Sequence, residues 1–290
     1  MTYDFGTDDF GSRDPGRIWQ LLIRLCHKPH GPLSSRLLAP IVRKAIVNRP
    51  SILPVDVRVG DMKLRCRFVD NYSEKKFVFT PWRYDKRERD LLALTLQKGG
   101  TFVDIGANVG LYTLTAQKAM TGKKGRILAF EPNPETFERL KFNLGANIAG
   151  ADGQPEIIVL NIGVADRETT FTLNVDGSNL GASSIVDKNR IKPKKQNVKS
   201  KTVEIPCRPL LDVLQEYSIH AIDALKIDIE GAEDIALAPF FEKAPESMLP
   251  EVLFVENSAH LWGRDLFGLI ESRGYHRLFE NRLNSVFSLR

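Results

Sequence analysis

Four stretches of this chain put ionisable side chains where an apolar strand gives way to a turn. The first is Val103-Asp104-Ile105-Gly106-Ala107-Asn108-Val109-Gly110. Gly106 permits a tight turn and close approach of a ligand to the backbone. Gly110 lets the following helix pack near the sheet, and that helix N-terminus offers unpaired N–H groups and a positive dipole end. A nicotinamide dinucleotide site uses Gly-x-Gly-x-x-Gly to hold a pyrophosphate. Here the order is Asp-x-Gly-x-Asn-x-Gly, with an acid on the strand. A carboxylate at that position repels pyrophosphate and suits a ligand with an ammonium or sulfonium cation, of which S-adenosylmethionine is one.

The second stretch, Ala129-Phe130-Glu131-Pro132-Asn133-Pro134, ends a strand on an acid 21 residues after Gly110. A carboxylate there can accept both hydroxyls of an adenosine ribose. Nicotinamide and S-adenosyl ligands both need it, so it does not separate them, and a helix start at Pro134 accounts for the same residues. The third, Leu225-Lys226-Ile227-Asp228-Ile229-Glu230-Gly231-Ala232-Glu233, puts three ionisable groups at period two on one face of a strand end. In a doubly wound sheet that end faces the ligand crevice, although a salt-bridged strand end is the plainer account. The fourth, Phe254-Val255-Glu256-Asn257-Ser258-Ala259-His260, adds another strand-end acid and a histidine that could act as a base near neutral pH.

These stretches need a scaffold of alternating strands and helices. From residue 101 the apolar pattern predicts strands at 101–105, 126–131, 156–162, 221–229 and 251–256. It predicts helices at 111–121, 134–147, 209–217, 232–242 and 261–273, and a final antiparallel hairpin at 275–280 and 285–289. Upstream, residues 1–14 are Gly/Asp-rich. The stretch 15–50 has no acidic residue and carries two apolar stripes at helical spacing with Arg and Lys between them. Residues 55–80 alternate, with a Gly60-Asp61 turn, and read as antiparallel strands that include Phe77-Val78-Phe79. Residues 87–97 read as a helix stopped by Gly99-Gly100. The division that follows is an N-terminal extension, 1–83, of helices then β-strands, and a domain at 84–290 interrupted by an insertion at 163–208. The insertion ends in a basic run, Lys188 to Lys201, with seven Lys/Arg in fourteen residues, which reads as a solvated loop or a lid over an anionic substrate.

Composition sets the outer limits. The chain has 290 residues, 42% hydrophobic and 27% charged, which excludes a mostly disordered protein. A net charge of +5 is compatible with an acidic partner without requiring one. Three scattered cysteines, Cys26, Cys66 and Cys207, form neither a disulfide framework nor a metal-ligand spacing and fit a reducing compartment. The acidic start carries no apolar run like that of a secretory leader, so a cytoplasmic protein is expected. The basic helices at 15–50 either pack on the body or rest on an anionic membrane surface.

Taken together and in order, the four motifs resemble the FkbM-type methyltransferases, over roughly residues 84–281. The resemblance implies a Rossmann-like class I methyltransferase fold, α/β, with a seven-stranded, mostly parallel sheet whose last two strands form an antiparallel edge hairpin. It implies S-adenosyl-L-methionine as cofactor and O-methylation of a hydroxyl on a sugar, glycan or secondary metabolite. On that reading Asp104, Gly106, Asn108 and Gly110 hold the methionine end. Glu131 holds the ribose beside Asn133, and the segment from Asn161 to Asp166 lies near the adenine. Asp228 is the first candidate for base or orienter, followed by Glu230 and His260. A divalent ion on Asp228, Glu230 and Glu256 is chemically conceivable, but strand-end acids have simpler roles, and no metal site is assigned. Two alternatives stay open: a nicotinamide-dependent oxidoreductase, and a nucleic-acid-binding module using the basic run. That run has no interleaved aromatics for bases to stack on, so no nucleic-acid partner is expected.

Overall fold

The strand–turn–helix rhythm builds one sheet with helices on both faces. In the computed structural model, which describes residues 5–28, 35–49, 53–148, 153–176, 179–180, 184–185 and 200–289, the extension contains α1 (Arg17–Cys26), α2 (Ser35–Val47), β1 (Val55–Val59), β2 (Met62–Cys66) and α3 (Tyr72–Phe79). Next come α4 (Lys86–Leu96), β3 (Gly100–Ile105), α5 (Leu111–Met120), β4 (Gly125–Phe130), α6 (Pro134–Ile148) and β5 (Glu156–Leu160). The insertion holds β6 (Gly163–Val164), β7 (Thr169–Asp176), β8 (Ser184–Ile185) and β9 (Ser200–Arg208). The chain closes with α7 (Leu210–Glu216), β10 (Ala224–Ile227), α8 (Glu233–Lys243), β11 (Val252–Glu256), α9 (Leu266–Ser272), β12 (Tyr275–Glu280) and β13 (Asn284–Leu289).

The main sheet runs β12-β13-β11-β10-β3-β4-β5. The pairs from β11 through β5 are parallel, while β13 is antiparallel to both β11 and β12. Its central strands β3, β4, β10 and β11 are apolar on both faces because both faces are covered. Val103, Ile105, Leu128, Leu225 and Val255 pack against α7, α8 and α9. Phe102, Ile127, Ala224 and Phe254 pack against α4 and α5. The insertion forms a second sheet, β6-β9-β7-β8, in which β7 and β9 pair antiparallel from Thr169↔Cys207 to Asp176↔Ser200. Of the basic run, only Ser200 and Lys201 lie within the described residues.

The structure departs from the sequence pattern in three places. Phe77-Val78-Phe79, expected as a strand, is the last turn of α3. Asn71 caps that helix by accepting the Glu74 N–H at 3.0 Å, and the three consecutive apolar residues are buried because α3 is packed on several sides. The strand expected at 221–229 is shorter: β10 stops at Ile227, and Asp228 lies one residue beyond it. The helix expected at 261–273 starts only at Leu266, where Asp265 accepts the Gly268 N–H at 2.9 Å.

The extension shares its core with the sheet domain. Residues of α1, α2, β1, β2 and α3 form one apolar cluster with Val109, Leu111, Leu140 and Leu144. The edge of β2 is closed by side chains of α6: Asn147 and Asn143 accept the Lys63 and Arg65 N–H groups, each at 2.9 Å. Ile18, Leu21, Leu37 and Ile41 remain exposed on the outer stripes of α1 and α2. Among the described residues no helix is long and apolar enough to cross a membrane.

The Arg65 guanidinium is fully buried across β1 and β2. It donates from Nε to Asp56 Oδ1 at 2.7 Å and from Nη2 to Oδ2 at 2.9 Å, with the Phe142 ring 4.0 Å away. Deleting one partner of such a pair strands a buried charge. Asp56→Ala is therefore expected to lower the unfolding free energy by about 3–5 kcal/mol, read from urea denaturation. A loss below about 1 kcal/mol, the level of a surface pair, would show that Arg65 is held by its other contacts.

Candidate active site

In chain order the five parallel strands are β3, β4, β5, β10 and β11, and the sheet order reverses direction between β3 and β10. A crevice opens outside the carboxyl ends of strands at such a point. Here a cleft is lined by Asp104 to Asn108 at the end of β3 and in the turn beyond it, Glu131 after β4, and Asp228 to Glu230 after β10.

Asp104 is the last polar residue of β3, and its carboxyl is 1% exposed. Thr113 of α5 donates to its Oδ2 at 2.6 Å, while the buried Oδ1 has no hydrogen-bond partner among the described residues. Burial pushes this carboxyl above the usual range. Gly106, at φ 80, could not be replaced: a Cβ there would collide with the Asp228 carbonyl oxygen. Gly110 serves differently from expectation, since the atom its missing Cβ clears is Leu140 Cδ1 of α6, 2.6 Å away, rather than an atom of the sheet. Glu131 is buried, and its oxygens accept the Asn108 N–H at 2.8 Å and the Asn133 N–H at 2.9 Å. Each oxygen keeps a further lone pair for a ligand hydroxyl. Burial pushes the Glu131 carboxyl up to about 7.

Register explains the next contacts. Lys226 of β10 pairs with Asp104 of β3, so both side chains leave the same face. The buried Lys226 ammonium lies 3.2 Å from Asp228 Oδ2 and 4.8 Å from the centre of the Tyr112 ring. Burial opposes its charge, but Asp228, Asp104 and Asp85 outweigh it and hold its pKa above the ordinary lysine value. Carboxylate oxygens of Asp228, Glu230 and Glu256 lie within 4.8 Å of one another. The Glu230 N–H donates to Glu256 Oε2 at 3.1 Å, with Glu230 at φ 56, a left-handed conformation for a non-glycine residue. Burial, then Asp228, Glu233 and Glu230, push the Glu256 carboxyl up to about 10. A proton on Glu256 relieves the repulsion in this cluster.

Not every expected residue reaches the cleft. Asn133 is buried outside the lining, orients Glu131 through its N–H and accepts the Glu135 N–H at 3.1 Å. Asn161 is likewise outside; its amide donates to the Glu131 and Pro132 carbonyls at 2.8 and 3.0 Å, while Ile162, Gly163 and Val164 line the wall. Asp166 is exposed and paired with Arg167 at 3.0 Å. His260 is exposed in a 3₁₀ turn and does not line the cleft.

Other contributors carried no motif. Ser73 and Tyr84 line the cleft from the α3 region, and Leu173, Leu180 and Ile205 line it from the insertion. Asn71 donates its amide to Asn108 Oδ1 at 2.8 Å, so the cap of α3 also steadies the glycine turn. Tyr112 donates its hydroxyl to Asp85 at 3.2 Å. Of these, Tyr112 alone had a usable signal, as the second residue of the helix that follows Gly110.

The reversed sheet order, the antiparallel strand set beside the fifth parallel one, and acids at the ends of β3, β4 and β10 define a Rossmann-like class I methyltransferase. Residues 104–276 match the methyltransferase FkbM domain. The chain belongs to this family, which decides against the nicotinamide oxidoreductase. The methyltransferase sdnD of Sordaria araneosa is 27% identical over 212 residues, 65% of this chain and 75% of that protein. Methyltransferase 1 of Beauveria bassiana is 29% identical over 143 residues, 45% of this chain and 54% of its own. The AMB antimetabolite synthetase AmbE of Pseudomonas aeruginosa is 28% identical over 193 residues, 56% of this chain and only 9% of that protein. Among solved structures, the methyltransferase FkbM of Methylobacillus flagellatus KT is 17% identical with a TM-score of 0.43, over 88% of this chain and 60% of that one.

Glu131 makes the site pH-sensitive. Its carboxyl rises from 4.5 to about 7 on folding, so the folded state binds more protons than the unfolded one between these values. What protonated Glu131 contributes is present below the lower value and lost as pH rises through the upper one. Glu131→Gln copies the neutral form. Its unfolding free energy relative to wild type should therefore increase from about pH 5 to about pH 8, measured by urea melts. A difference that stays flat would mean the carboxylate is stabilised by its two N–H donors after all.

Proposed function

We propose that this chain transfers a methyl group from S-adenosylmethionine to a hydroxyl oxygen of a sugar, glycan or secondary metabolite. The observation that carries the reading is Asp104, which lines the cleft beside the pre-oriented Glu131 and whose buried Oδ1 has no hydrogen-bond partner among the described residues. An orphaned buried acceptor is costly, and a cationic ligand group satisfies it. The residues fit the donor in kind: Asp104 for the cationic methionine end, the Gly106 turn for backbone approach, Glu131 for the ribose hydroxyls, and Ile162 and Val164 as apolar wall for the adenine.

The donor supplies a methyl group already activated by its sulfonium charge. The chain's own residues align the acceptor and take its proton. Asp228 lines the cleft with its carboxylate 39% exposed, so it can face an acceptor hydroxyl. An acceptor hydroxyl held here would give its proton to an Asp228 oxygen as its oxygen bonds to the methyl carbon, the methyl–sulfur bond breaking and the sulfur leaving as the neutral thioether of S-adenosylhomocysteine. Lys226 holds Oδ2 and thereby fixes the orientation of the carboxylate. Glu230 lies in the same wall as a second candidate.

Isothermal titration should give one S-adenosylhomocysteine site per chain, and Glu131→Ala should weaken it by about 1.5–3 kcal/mol, the range for hydrogen bonds to a charged group. Undiminished affinity would remove Glu131 from the ribose role.

Asp228→Asn keeps the shape and removes the base. Turnover on a hydroxylated acceptor should fall by about 10²-fold or more, while S-adenosylhomocysteine affinity stays unchanged. Turnover retained with lowered stability would make Asp228 an ion-pair member only and shift the role to Glu230.

A further inference from the structure

We infer that the methyl acceptor is anionic, and that its phosphate or carboxylate lies in an open groove between α3, the turn before α4 and the β12–β13 turn. The inference rests on the methyl-transfer reading of the neighbouring cleft.

The groove is lined by Lys76, Arg83, Lys86, Arg87 and Arg282, with Tyr72 and Trp82 as its aromatic surfaces. Some of this charge is already used. Lys86 pairs with Asp90, and Arg87 stacks 3.7 Å from the centre of the Phe279 ring. The two acids in the lining are engaged as well: Glu88 is buried and accepts the Asn281 amide, and Asp85 accepts the Tyr112 hydroxyl. Lys76, Arg83 and Arg282 have no acidic partner among the described residues. Lys76 lies 4.7 Å from the Tyr72 ring centre and Arg83 5.5 Å from that of Trp82. Cations set beside half-buried or exposed aromatic faces offer both a platform for a ring and donors for an anion.

Position ties the groove to the chemistry. Tyr72 lines the groove and Ser73 the cleft; Asp85 lines the groove and Tyr84 the cleft. Consecutive Cα atoms are about 3.8 Å apart, so the two hollows share a wall one residue thick. Tyr112 crosses that wall, with its ring against Lys226 and its hydroxyl on Asp85. An acceptor whose hydroxyl sits at Asp228 can thus extend over Tyr84 and lay an anionic group among Lys76, Arg83 and Arg282. A neutral acceptor makes no use of these charges.

The test compares the full-length wild type with the triple variant Lys76→Gln/Arg83→Gln/Arg282→Gln. Inorganic pyrophosphate and glucuronate are the two anion probes, titrated calorimetrically at low salt, and S-adenosylhomocysteine affinity is the control for folding. Wild type should bind at least one anion saturably, and the triple variant should bind it about tenfold or more weakly with S-adenosylhomocysteine affinity unchanged. Preference for pyrophosphate points to a phosphate-bearing acceptor, and preference for glucuronate to a carboxylate. If neither anion binds the wild type, or the triple variant binds as well as wild type, the groove is not the anion site. If the wild type binds anions but not S-adenosylhomocysteine, the methyl-transfer reading fails and the acceptor role falls with it.

Discussion

The site depends on one buried charge arrangement. Lys226 and Asp104 are register partners on adjoining parallel strands, on the face covered by α4 and α5. A buried ammonium without partners would shed its proton, and a buried carboxylate would gain one. Set between Asp104, Asp228 and Asp85, Lys226 keeps its charge. The arrangement links the two halves of the cleft. Asp104 lies in β3 just before the glycine turn and Asp228 just after β10; Lys226 is bonded to Asp228, and its charge acts on both acids. The Asp228 N–H also reaches back to the Ile105 carbonyl at 3.0 Å, so the backbone ladder continues where β10 has ended.

A second layer of polar contacts joins the extension to the same turn. Asn71 accepts from Glu74 to cap α3 and donates to Asn108, whose own N–H lies on Glu131. A single chain of hydrogen bonds therefore runs from the extension through the glycine turn to the end of β4. With the shared apolar cluster, this makes residues 53–83 part of the site's support, although the sequence pattern marks a change of style near residue 84.

That difference shows what a sequence exposes. The succession of strands along the chain, the glycine turn and the strand-end acids were legible because each is local: an apolar run, a residue with no Cβ, a carboxylate at a strand end. Tyr84, Ser73 and Leu180 were not legible, because they reach the cleft through packing between segments far apart in the chain. Phe77-Val78-Phe79 looked like a strand because consecutive apolar residues fit a buried strand as well as a helix packed on several sides, and the Asn71 cap decided otherwise. Asn133, Asn161 and Asp166 sat in the right segments, but a residue's side of the turn depends on backbone torsions that spacing does not encode. Two of the three turned to backbone partners, and Asp166 turned to solvent.

Charge is also sorted by depth. Among the described residues lining the cleft, Lys226 faces four acids, Asp104, Glu131, Asp228 and Glu230. The outer groove carries the opposite balance. An acidic interior favours a cationic donor group and opposes an anion placed against it. The basic rim draws the anion outward. An acceptor bearing both a hydroxyl and an anionic group is therefore sorted end from end: the charge is held at the rim, and the neutral hydroxyl is the part that enters beside Asp228. Orientation then follows from the field of the two hollows together, before any single hydrogen bond to the reacting oxygen is made.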